Sequence, residues 1–288
     1  MTRAPHLARA AFAVAPDDLV AAFQRDGAVC LRGVLTPAEV ERLARGIDAN
    51  LATPSPRAIV ASRPGDPGFF IEDFCNWRAD APSAPFAADY RATAIDTALP
   101  EVAARLMQSR TVRLYHDHML TKEPGTRTPT PWHQDQPYYN IDGRQNVSFW
   151  IPVDPVRRAS TLEFIAGSHL GPWLMPRTFM DHQAKWFPEG SLAELPDIEA
   201  SRGDFPILGW ALEPGDAVAF HMLTLHAAGG VDGDRRRRVF SLRYLGDDIT
   251  HAPRRWKTSP DFPGLAEVLP AGAPMRHEIF PLLIGAPD

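Results

Sequence analysis

The part of this sequence beyond residue 110 consists of short apolar runs separated by Gly, Pro and Asp. Many short runs of this kind are typical of antiparallel strands that close into a sandwich or barrel, of which a jelly roll is one form. Helical patterns precede them, so we predict an α+β fold. The five clearest strand candidates are TVRLYHDHML, NVSFWIPVD, STLEFIAG, DAVAFHMLTLHA and RVFSLRYLG.

The front of the chain has clear helix signals. The segment PDDLVAAFQRDG carries apolar residues at helical spacing and ends at Gly27, and the run AVCLRGVL after it is predicted as a strand. In TPAEVERLARGIDANL, Thr36 is placed to cap a helix, Pro37 fits the first helical position and Glu39 completes a capping box. These segments predict helices that flank the sheets.

Residues 52–88 are rich in Pro, Gly, Ser and Asp, which predicts a long loop. The segment nevertheless contains Phe69, Phe70, Phe74 and Trp77. One interpretation is a loop that its aromatic residues pack onto the core. The other is a lid that forms an apolar wall of a substrate pocket, because long ordered loops are often functional.

Composition limits the classes of function. The 288 residues contain no repeat and no low-complexity linker, so a single domain over residues 1–288 is predicted. A net charge of −5 gives no general attraction to nucleic acid or a membrane, and no apolar stretch has the length of a membrane span. Cys30 and Cys75 provide no disulfide framework, which together with the lack of an export signal favours the cytoplasm. A small molecule is therefore the expected partner, and the oligomeric state stays open.

A histidine and an aspartate lie two positions apart in TPWHQDQPYYN, residues 130–140. On a strand, alternate side chains point to the same side, about 6 to 7 Å apart, so His133 and Asp135 are placed to hold one metal ion together. A third ligand is needed from a distant strand. His221 and His226 are both candidates, and strand parity allows at most one of them to face the cavity without saying which.

Two imidazoles and one carboxylate are the ligand set of non-haem Fe(II) oxygenases, which leave positions open on the metal for a cosubstrate and dioxygen. A 2-oxo acid chelates two of these positions, and arginine suits its distant carboxylate. The residues therefore favour oxidative chemistry. Two alternatives remain: a zinc hydrolase with the same ligands, and a jelly roll that binds a small molecule without catalysis.

Four segments in this order resemble the phytanoyl-CoA dioxygenase family of Fe(II)- and 2-oxoglutarate-dependent oxygenases. They are PWHQDQPYYNIDGRQNVSFWIPVD, TLEFIAGSHL, PGDAVAFHMLTLHAAGG and RRRVFSLRY, and the resemblance extends from the Thr36 helix to about Tyr244. It implies a double-stranded β-helix (jelly-roll, cupin-like) core. It also implies Fe(II), 2-oxoglutarate and dioxygen, with ascorbate as a stimulant, and hydroxylation of an unactivated C–H bond of a small metabolite with release of succinate and carbon dioxide.

The resemblance also assigns the third metal ligand. The family has its distal histidine roughly ninety residues after the H-x-D pair, and His226 follows Asp135 by 91 positions. His221 then falls to packing or to hydrogen bonding around the ligands. The family often has a serine two positions after the distal histidine, where this chain has Ala228.

The same resemblance implies residues that bind the cosubstrate. Arg237, eleven positions after His226, is the expected partner of the distal carboxylate, although Arg236 or Arg238 takes that place if the register shifts by one. Trp150 and His118 are expected against 2-oxoglutarate, His118 a few positions before the Lys-Glu-Pro at 122–124.

Other residues receive weaker roles from their positions. We expect Gln136, Tyr138 and Tyr139 at the mouth of the substrate site, Arg243 within reach of an anionic substrate, and His169 in a structural loop. Because related halogenases have a small residue in place of the carboxylate, Asp135 favours hydroxylation over halogenation.

Overall fold

The capping box predicted at Thr36 begins the longest helix among the described residues. Thr36 accepts a hydrogen bond from the Glu39 amide, and the Glu39 side chain accepts one from the Thr36 amide. In the computed structural model, the helices are α1 (Asp17–Asp26), α2 (Pro37–Ala52), α3 (Ala87–Ile95), α4 (Leu99–Met107) and α5 (Leu265–Val268). The residues that the structure describes are 16–62, 65, 67–77, 86–176, 187–231 and 235–286.

Two antiparallel sheets carry the fold. The larger has the strand order β1-β10-β7-β12-β4-β3-β2 with β14 beside β4, and the smaller has the order β5-β11-β8-β9. The larger sheet contains β1 (Ala28–Leu31), β2 (Ile59–Val60), β3 (Phe70–Phe74), β4 (Val112–Lys122), β7 (Asn146–Pro152), β10 (Ala217–Phe220), β12 (Arg237–Leu245) and β14 (Leu282–Ile284). The smaller contains β5 (Thr130–His133), β8 (Leu162–Ile165), β9 (Ile207–Leu208) and β11 (His226–Ala228), while β6 (Ile141–Asp142) pairs with β13 (Thr250–His251).

The main hydrophobic core lies between the larger sheet and the helices at the front of the chain. Buried side chains of α1 to α4, such as Phe23, Ile47 and Leu106, belong to the same cluster as Phe149 and Phe240 of the sheet. With the helices covering one face of this sheet, its other face is free to line a cavity together with the smaller sheet. None of the described helices is long and apolar enough to cross a membrane.

Two predicted elements are wrong in detail. Residues 52–88 are not a continuous loop, because β2 and β3 lie within them and β3 pairs along its length with β4. The predicted strand DAVAFHMLTLHA is in fact two strands, since the chain turns between Phe220 and His226 and passes from the larger sheet to the smaller. Both errors have one cause. The apolar content of a segment indicates that it is buried, but it does not indicate with which strands the segment pairs.

Candidate metal centre and cosubstrate cavity

Three side chains with metal-binding atoms meet between the sheets. His133 ends β5 and His226 begins β11, and the two are direct partners in the antiparallel register. The Asp135 Oδ1 atom lies 3.6 Å from His133 Nε2 and 3.7 Å from His226 Nε2. These separations are too long for hydrogen bonds and leave room for an ion bound at about 2.0 to 2.2 Å from each atom.

The geometry of the H-x-D pair differs from the predicted strand alternation. Asp135 lies beyond the end of β5, in helical backbone conformation (φ −74°, ψ −43°). The amides of Asp135 and Gln136 both donate to the carbonyl of Met222, at 2.8 and 2.9 Å. The turn between β10 and β11 therefore fixes the position of the Asp135 carboxylate, and it leads directly to His226 at the start of β11.

Both imidazoles are oriented by backbone carbonyls. The Nδ1 atom of His133 lies 2.8 Å from the Pro131 carbonyl, and Nδ1 of His226 lies 2.8 Å from the Thr224 carbonyl. A carbonyl can only accept, so each Nδ1 carries the proton and each Nε2 presents a lone pair toward Asp135. Burial, reinforced by His133, lowers the pKa of His226 to about 3, so its ring is neutral at physiological pH.

Arg243 forms a buried ion pair with Asp135. Its Nη2 lies 3.3 Å from Asp135 Oδ2, and its Nε donates to the Tyr139 hydroxyl at 3.1 Å. Burial alone raises the pKa of Asp135, but the Arg243 guanidinium and the two imidazoles hold it well below its usual range. Arg243 thus contacts Asp135 and also lines the cavity, and its expected contact with an anionic substrate stays a prediction.

The donor set matches the chemistry of a redox iron site. One carboxylate and two imidazoles on one side of an ion form the triad of non-haem Fe(II) oxygenases. Within the described part of the chain, His133, Asp135 and His226 are the one group of three such residues whose ligand atoms cluster. The residues present therefore fit Fe(II) and leave coordination positions open for other ligands.

His221 is occupied by the backbone. Its Nδ1 accepts from the Leu223 amide at 3.0 Å, and its Nε2 lies 2.9 Å from the Arg144 carbonyl. Because the chain turns between β10 and β11, strand parity does not apply to His221 and His226. The two histidines differ in their hydrogen bonds instead. Both ring nitrogens of His221 have backbone partners, whereas Nε2 of His226 faces Asp135.

This difference between the two histidines predicts opposite mutant phenotypes. We expect His221→Phe to lower the free energy of unfolding by about 1 to 3 kcal/mol, because it leaves a buried amide and a carbonyl without partners, while iron binding is retained. His226→Phe is expected to lose iron binding. Urea unfolding, with the iron content measured after gel filtration, checks both. Iron retention in His226→Phe with loss in His221→Phe would contradict the assignment.

A cavity of about 150 Å³ extends from the triad along the inner face of the larger sheet. Inward residues of β12 and β4 alternate along its floor: Arg237, Val239, Ser241 and Arg243 from β12, and His116, His118, Leu120 and Lys122 from β4. Trp150 of β7 pairs with Ser241, which also pairs with His118. The predicted cosubstrate residues Trp150 and His118 thus lie in one row across three strands.

Among the consecutive arginines at 235–238, Arg237 is the one that lines the cavity. It is 7% exposed, its Nη1 donates to the Ser160 carbonyl, and its guanidinium carbon lies 5.6 Å from the centre of the Trp150 ring. Burial lowers the pKa of Arg237 to about 10. The neighbours point elsewhere: Arg236 pairs with Glu123, and Arg238 with Asp154. Of the three arginines that the sequence left open, Arg237 is the one that lines the cavity, and its contact with 2-oxoglutarate stays a prediction.

Of the remaining residues predicted at the site, some line the cavity and one does not. Tyr138 and Tyr139 line the cavity, but the amide group of Gln136 bonds to Gly143 and Asn146. The mouth role predicted for Gln136 is thus wrong. His118 stacks on Phe74 with ring centres 4.1 Å apart, on the side of the cavity formed by β3.

Sequence reasoning did not single out Lys122, which lines the cavity beside Arg237. The signal that was available is parity on β4, because His116, His118 and Lys122 are separated by even steps and share a face.

The candidate site lies within a segment that matches a known protein family. A sequence profile of the family described as Phytanoyl-CoA dioxygenase (PhyH) matches residues 23–239, a range that includes the triad and Arg237. The chain belongs to the phytanoyl-CoA dioxygenase family. As a family member it is 27% identical over 143 residues to a probable phytanoyl-CoA dioxygenase of Caenorhabditis elegans. That match covers 46% of this chain and 43% of the relative, less than half of the relative's length.

Solved structures of similar shape include two enzymes linked to nogalamycin. The epimerase SnoN, in complex with Fe3+, alpha ketoglutarate and nogalamycin RO, is 25% identical with a TM-score of 0.69, over 93% of this chain and 98% of that chain. The carbocyclase SnoK from nogalamycin biosynthesis is 21% identical with a TM-score of 0.67, over 93% and 96% of the two chains. The predicted α+β jelly-roll fold is thereby confirmed. The predicted cofactors, Fe(II) and 2-oxoglutarate, agree with the family and with the donor set found here.

Proposed function

We propose that this phytanoyl-CoA dioxygenase family protein is an Fe(II)- and 2-oxoglutarate-dependent oxygenase that hydroxylates an unactivated C–H bond of a small molecule. The observation that carries the proposal is the joining, in one cavity, of the triad His133, Asp135 and His226 with the buried guanidinium of Arg237. A metal with open positions and a fixed cation at a distance suit a chelating 2-oxo acid that ends in a second carboxylate.

Each residue has a defined task in this scheme. The two imidazoles and the carboxylate hold Fe(II), with Arg243 and the carbonyls of Pro131 and Thr224 fixing their orientation. Arg237 binds the distal carboxylate of 2-oxoglutarate and so sets which end faces the metal. Fe(II) and 2-oxoglutarate together activate dioxygen and supply the oxidant that removes a hydrogen atom. The protein contributes the orientation of the target bond and a cavity from which bulk water is excluded.

The presence of the Asp135 carboxylate favours hydroxylation over halogenation. His133, Asp135 and His226 would give the metal three protein ligands, so that a bidentate 2-oxo acid and dioxygen would leave no place for a halide. A second candidate is removal of a hydrogen atom from the substrate without transfer of oxygen to it. It is favoured by the names of the similar structures, an epimerase and a carbocyclase.

A small molecule is favoured over nucleic acid as the substrate. The basic run at residues 235–238 offers little surface for phosphates, because Arg236 and Arg238 form ion pairs and Arg237 is buried, so that Arg235 is its one exposed arginine without an ion pair among the described residues. The cavity wall combines aromatic side chains with polar atoms, including Phe74, Tyr138 and Ser259. This mixture suits a partly apolar guest that is held by a few hydrogen bonds.

A hydrolytic zinc enzyme is disfavoured by the charge at the far end of the cavity. Hydrolysis at the triad needs a metal-bound water and a general base, and it has no use for a buried guanidinium beyond the metal. The same guanidinium, together with the oriented ligands, argues against a jelly roll without catalytic activity.

Turnover with candidate substrates tests the proposal. Protein loaded with Fe(II) and ascorbate is incubated aerobically with 2-oxoglutarate and a metabolite library, and succinate and substrate loss are measured. We expect a substrate to raise succinate release in proportion to its own consumption. A product that gains one oxygen atom supports hydroxylation, and one of unchanged composition supports epimerisation. Substrate turnover by the zinc-loaded protein without 2-oxoglutarate would overturn the proposal.

A further inference from the structure

A buried histidine and a buried arginine lie opposite each other on the cavity floor beside the triad. His116 of β4 and Arg243 of β12 are direct partners in the antiparallel register, they are 1% and 5% exposed, and both line the cavity. Arg237 lies six residues earlier on β12, which is about 20 Å along a strand. The pair is therefore at the opposite end of β12 from the cation proposed for the distal carboxylate of 2-oxoglutarate.

Each of these two side chains has one nitrogen that no other described residue satisfies. The Nε of Arg243 donates to the Tyr139 hydroxyl and its Nη2 faces Asp135, but its Nη1 is buried without a hydrogen-bond partner. The Nε2 of His116 is also buried without one. Because a buried polar atom that lacks a partner destabilises the fold, two of them at adjacent positions in one cavity indicate a place for a ligand.

The free nitrogen of His116 is an acceptor. Its Nδ1 lies 3.2 Å from the Asp117 carbonyl, and a carbonyl can only accept, so Nδ1 carries the proton and Nε2 presents a lone pair. Burial and the charge of Arg243 lower the pKa of His116 well below its usual range, so the ring is neutral. The cavity wall thus offers one acceptor and one donor on strand partners whose Cβ atoms are typically about 4.5 to 5.5 Å apart.

A purely structural role explains the ring of His116 but not its nitrogen. The Asp117 carbonyl also accepts from the Cys75 amide at 3.2 Å, so it does not depend on the histidine. The ring packs edge-on against Tyr139 and Tyr115, with ring centres 5.0 and 4.9 Å apart. An apolar ring would make these contacts without leaving a buried lone pair unsatisfied.

We propose that His116 and Arg243 bind a neutral hydroxyl group of the substrate, which donates to His116 Nε2 and accepts from Arg243 Nη1. The inference rests on the proposed function and names its substrate class, a small molecule with a hydroxyl close to the C–H bond that is attacked. A carboxylate would accept from Arg243 but would set a second lone pair against Nε2. An ammonium would be repelled by Arg243. Because Arg243 also pairs with Asp135, the bound hydroxyl lies beside the metal-site carboxylate.

The test uses four compounds that share one ring: cyclohexylmethanol, its methyl ether, cyclohexanecarboxylate and cyclohexylmethylammonium. Their binding to the protein loaded with Zn(II) and 2-oxoglutarate, which allows no oxidation, is measured by saturation-transfer NMR titration. We expect the alcohol to bind about 10-fold more tightly than the ether, because the ether can accept from Arg243 but cannot donate to His116. The alcohol is also expected to bind more tightly than either ion.

Variants of His116 assign this preference to its nitrogen. In His116→Phe, which removes the acceptor, the alcohol and the ether are expected to bind within about twofold of each other. His116→Gln supplies a carbonyl oxygen as acceptor and is expected to restore the preference. His251→Phe is the matched control, because His251 is a buried histidine bonded to the Leu269 carbonyl and does not line the cavity, and it is expected to keep the wild-type preference.

Four results would overturn the hydroxyl site. They are no detectable binding of the alcohol at millimolar concentration, equal affinity of wild type for alcohol and ether, which a pocket for a water molecule alone would give, an unchanged preference in His116→Phe, and tightest binding of the carboxylate, which an anionic substrate at Arg243 would give. Failure of the proposed function is seen separately, as the absence of a charge-transfer band when the wild-type protein receives Fe(II) and 2-oxoglutarate without these compounds.

Discussion

Asp135→Ala is expected to abolish iron binding and all consumption of 2-oxoglutarate. Asp135 supplies the negative charge of the candidate triad, and its Oδ1 atom lies between the Nε2 atoms of His133 and His226. Removal of partners that merely orient metal ligands typically costs about 10- to 100-fold in metal affinity, so removal of the ligand itself costs more. Iron content after gel filtration and anaerobic Fe(II) titration measure the loss.

This substitution also affects folding, because Asp135 balances the buried charge of Arg243. An unpaired buried cation costs about 3 to 5 kcal/mol in stability. The double variant Asp135→Ala with Arg243→Met separates the two effects. We expect it to recover much of the lost free energy of unfolding while iron binding stays absent. Iron binding at wild-type affinity in the well-folded double variant would remove Asp135 from the ligand set.

Arg237→Met is expected to leave iron binding intact and to weaken 2-oxoglutarate binding by roughly 100-fold or more. A guanidinium binds a carboxylate with strong, charge-assisted hydrogen bonds, each worth about 1.5 to 3 kcal/mol. Because Arg237 is buried in the cavity without an acidic partner among the described residues, its charge is available to the cosubstrate. The affinity follows from the charge-transfer absorption at increasing 2-oxoglutarate.

The neighbouring arginine provides a matched control for this variant. Arg236 is exposed and pairs with Glu123, so Arg236→Met changes the charge of the protein equally without altering the cavity. We expect its affinity for 2-oxoglutarate to stay within about twofold of wild type, since exposed ion pairs contribute little. Equal effects of the two substitutions would mean that Arg237 has no special role.

The local elements could be predicted from sequence where one short signal decides the structure. The Gly27 end of α1 and the capping box of α2 at Thr36 are read from a few adjacent residues, and both are confirmed. The strand β3 could not be found in this way. It is surrounded by loop-forming residues and exists because β4 offers it an edge with which to pair.

The residues of the candidate site could be predicted, but their geometry could not. His133 and Asp135 were chosen as neighbours on one strand, whereas the aspartate is held beyond the strand end by the Met222 carbonyl. His226 comes close because β11 pairs with β5, a contact between segments far apart in sequence. Spacing in the chain does not contain such a register.

The charges around the site were the least predictable feature. The contact of Arg243 with Asp135 and the pairing of Lys122 with Arg237 both depend on how β12 aligns with its neighbours. From sequence alone Arg243 is predicted to contact an anionic substrate, and Lys122 receives no role, because burial of a cation is uncommon without a partner. The register of β12 thus determines where the charges of Arg237 and Arg243 lie in the cavity.

Anaerobic titration of the metal-free wild-type protein with Fe(II), followed by 2-oxoglutarate, tests the central claim most directly. The account predicts one iron per chain and, on addition of 2-oxoglutarate, a weak visible charge-transfer band that saturates at one equivalent of the acid. A protein that retains Zn(II) against Fe(II) and develops no absorption with 2-oxoglutarate would contradict it.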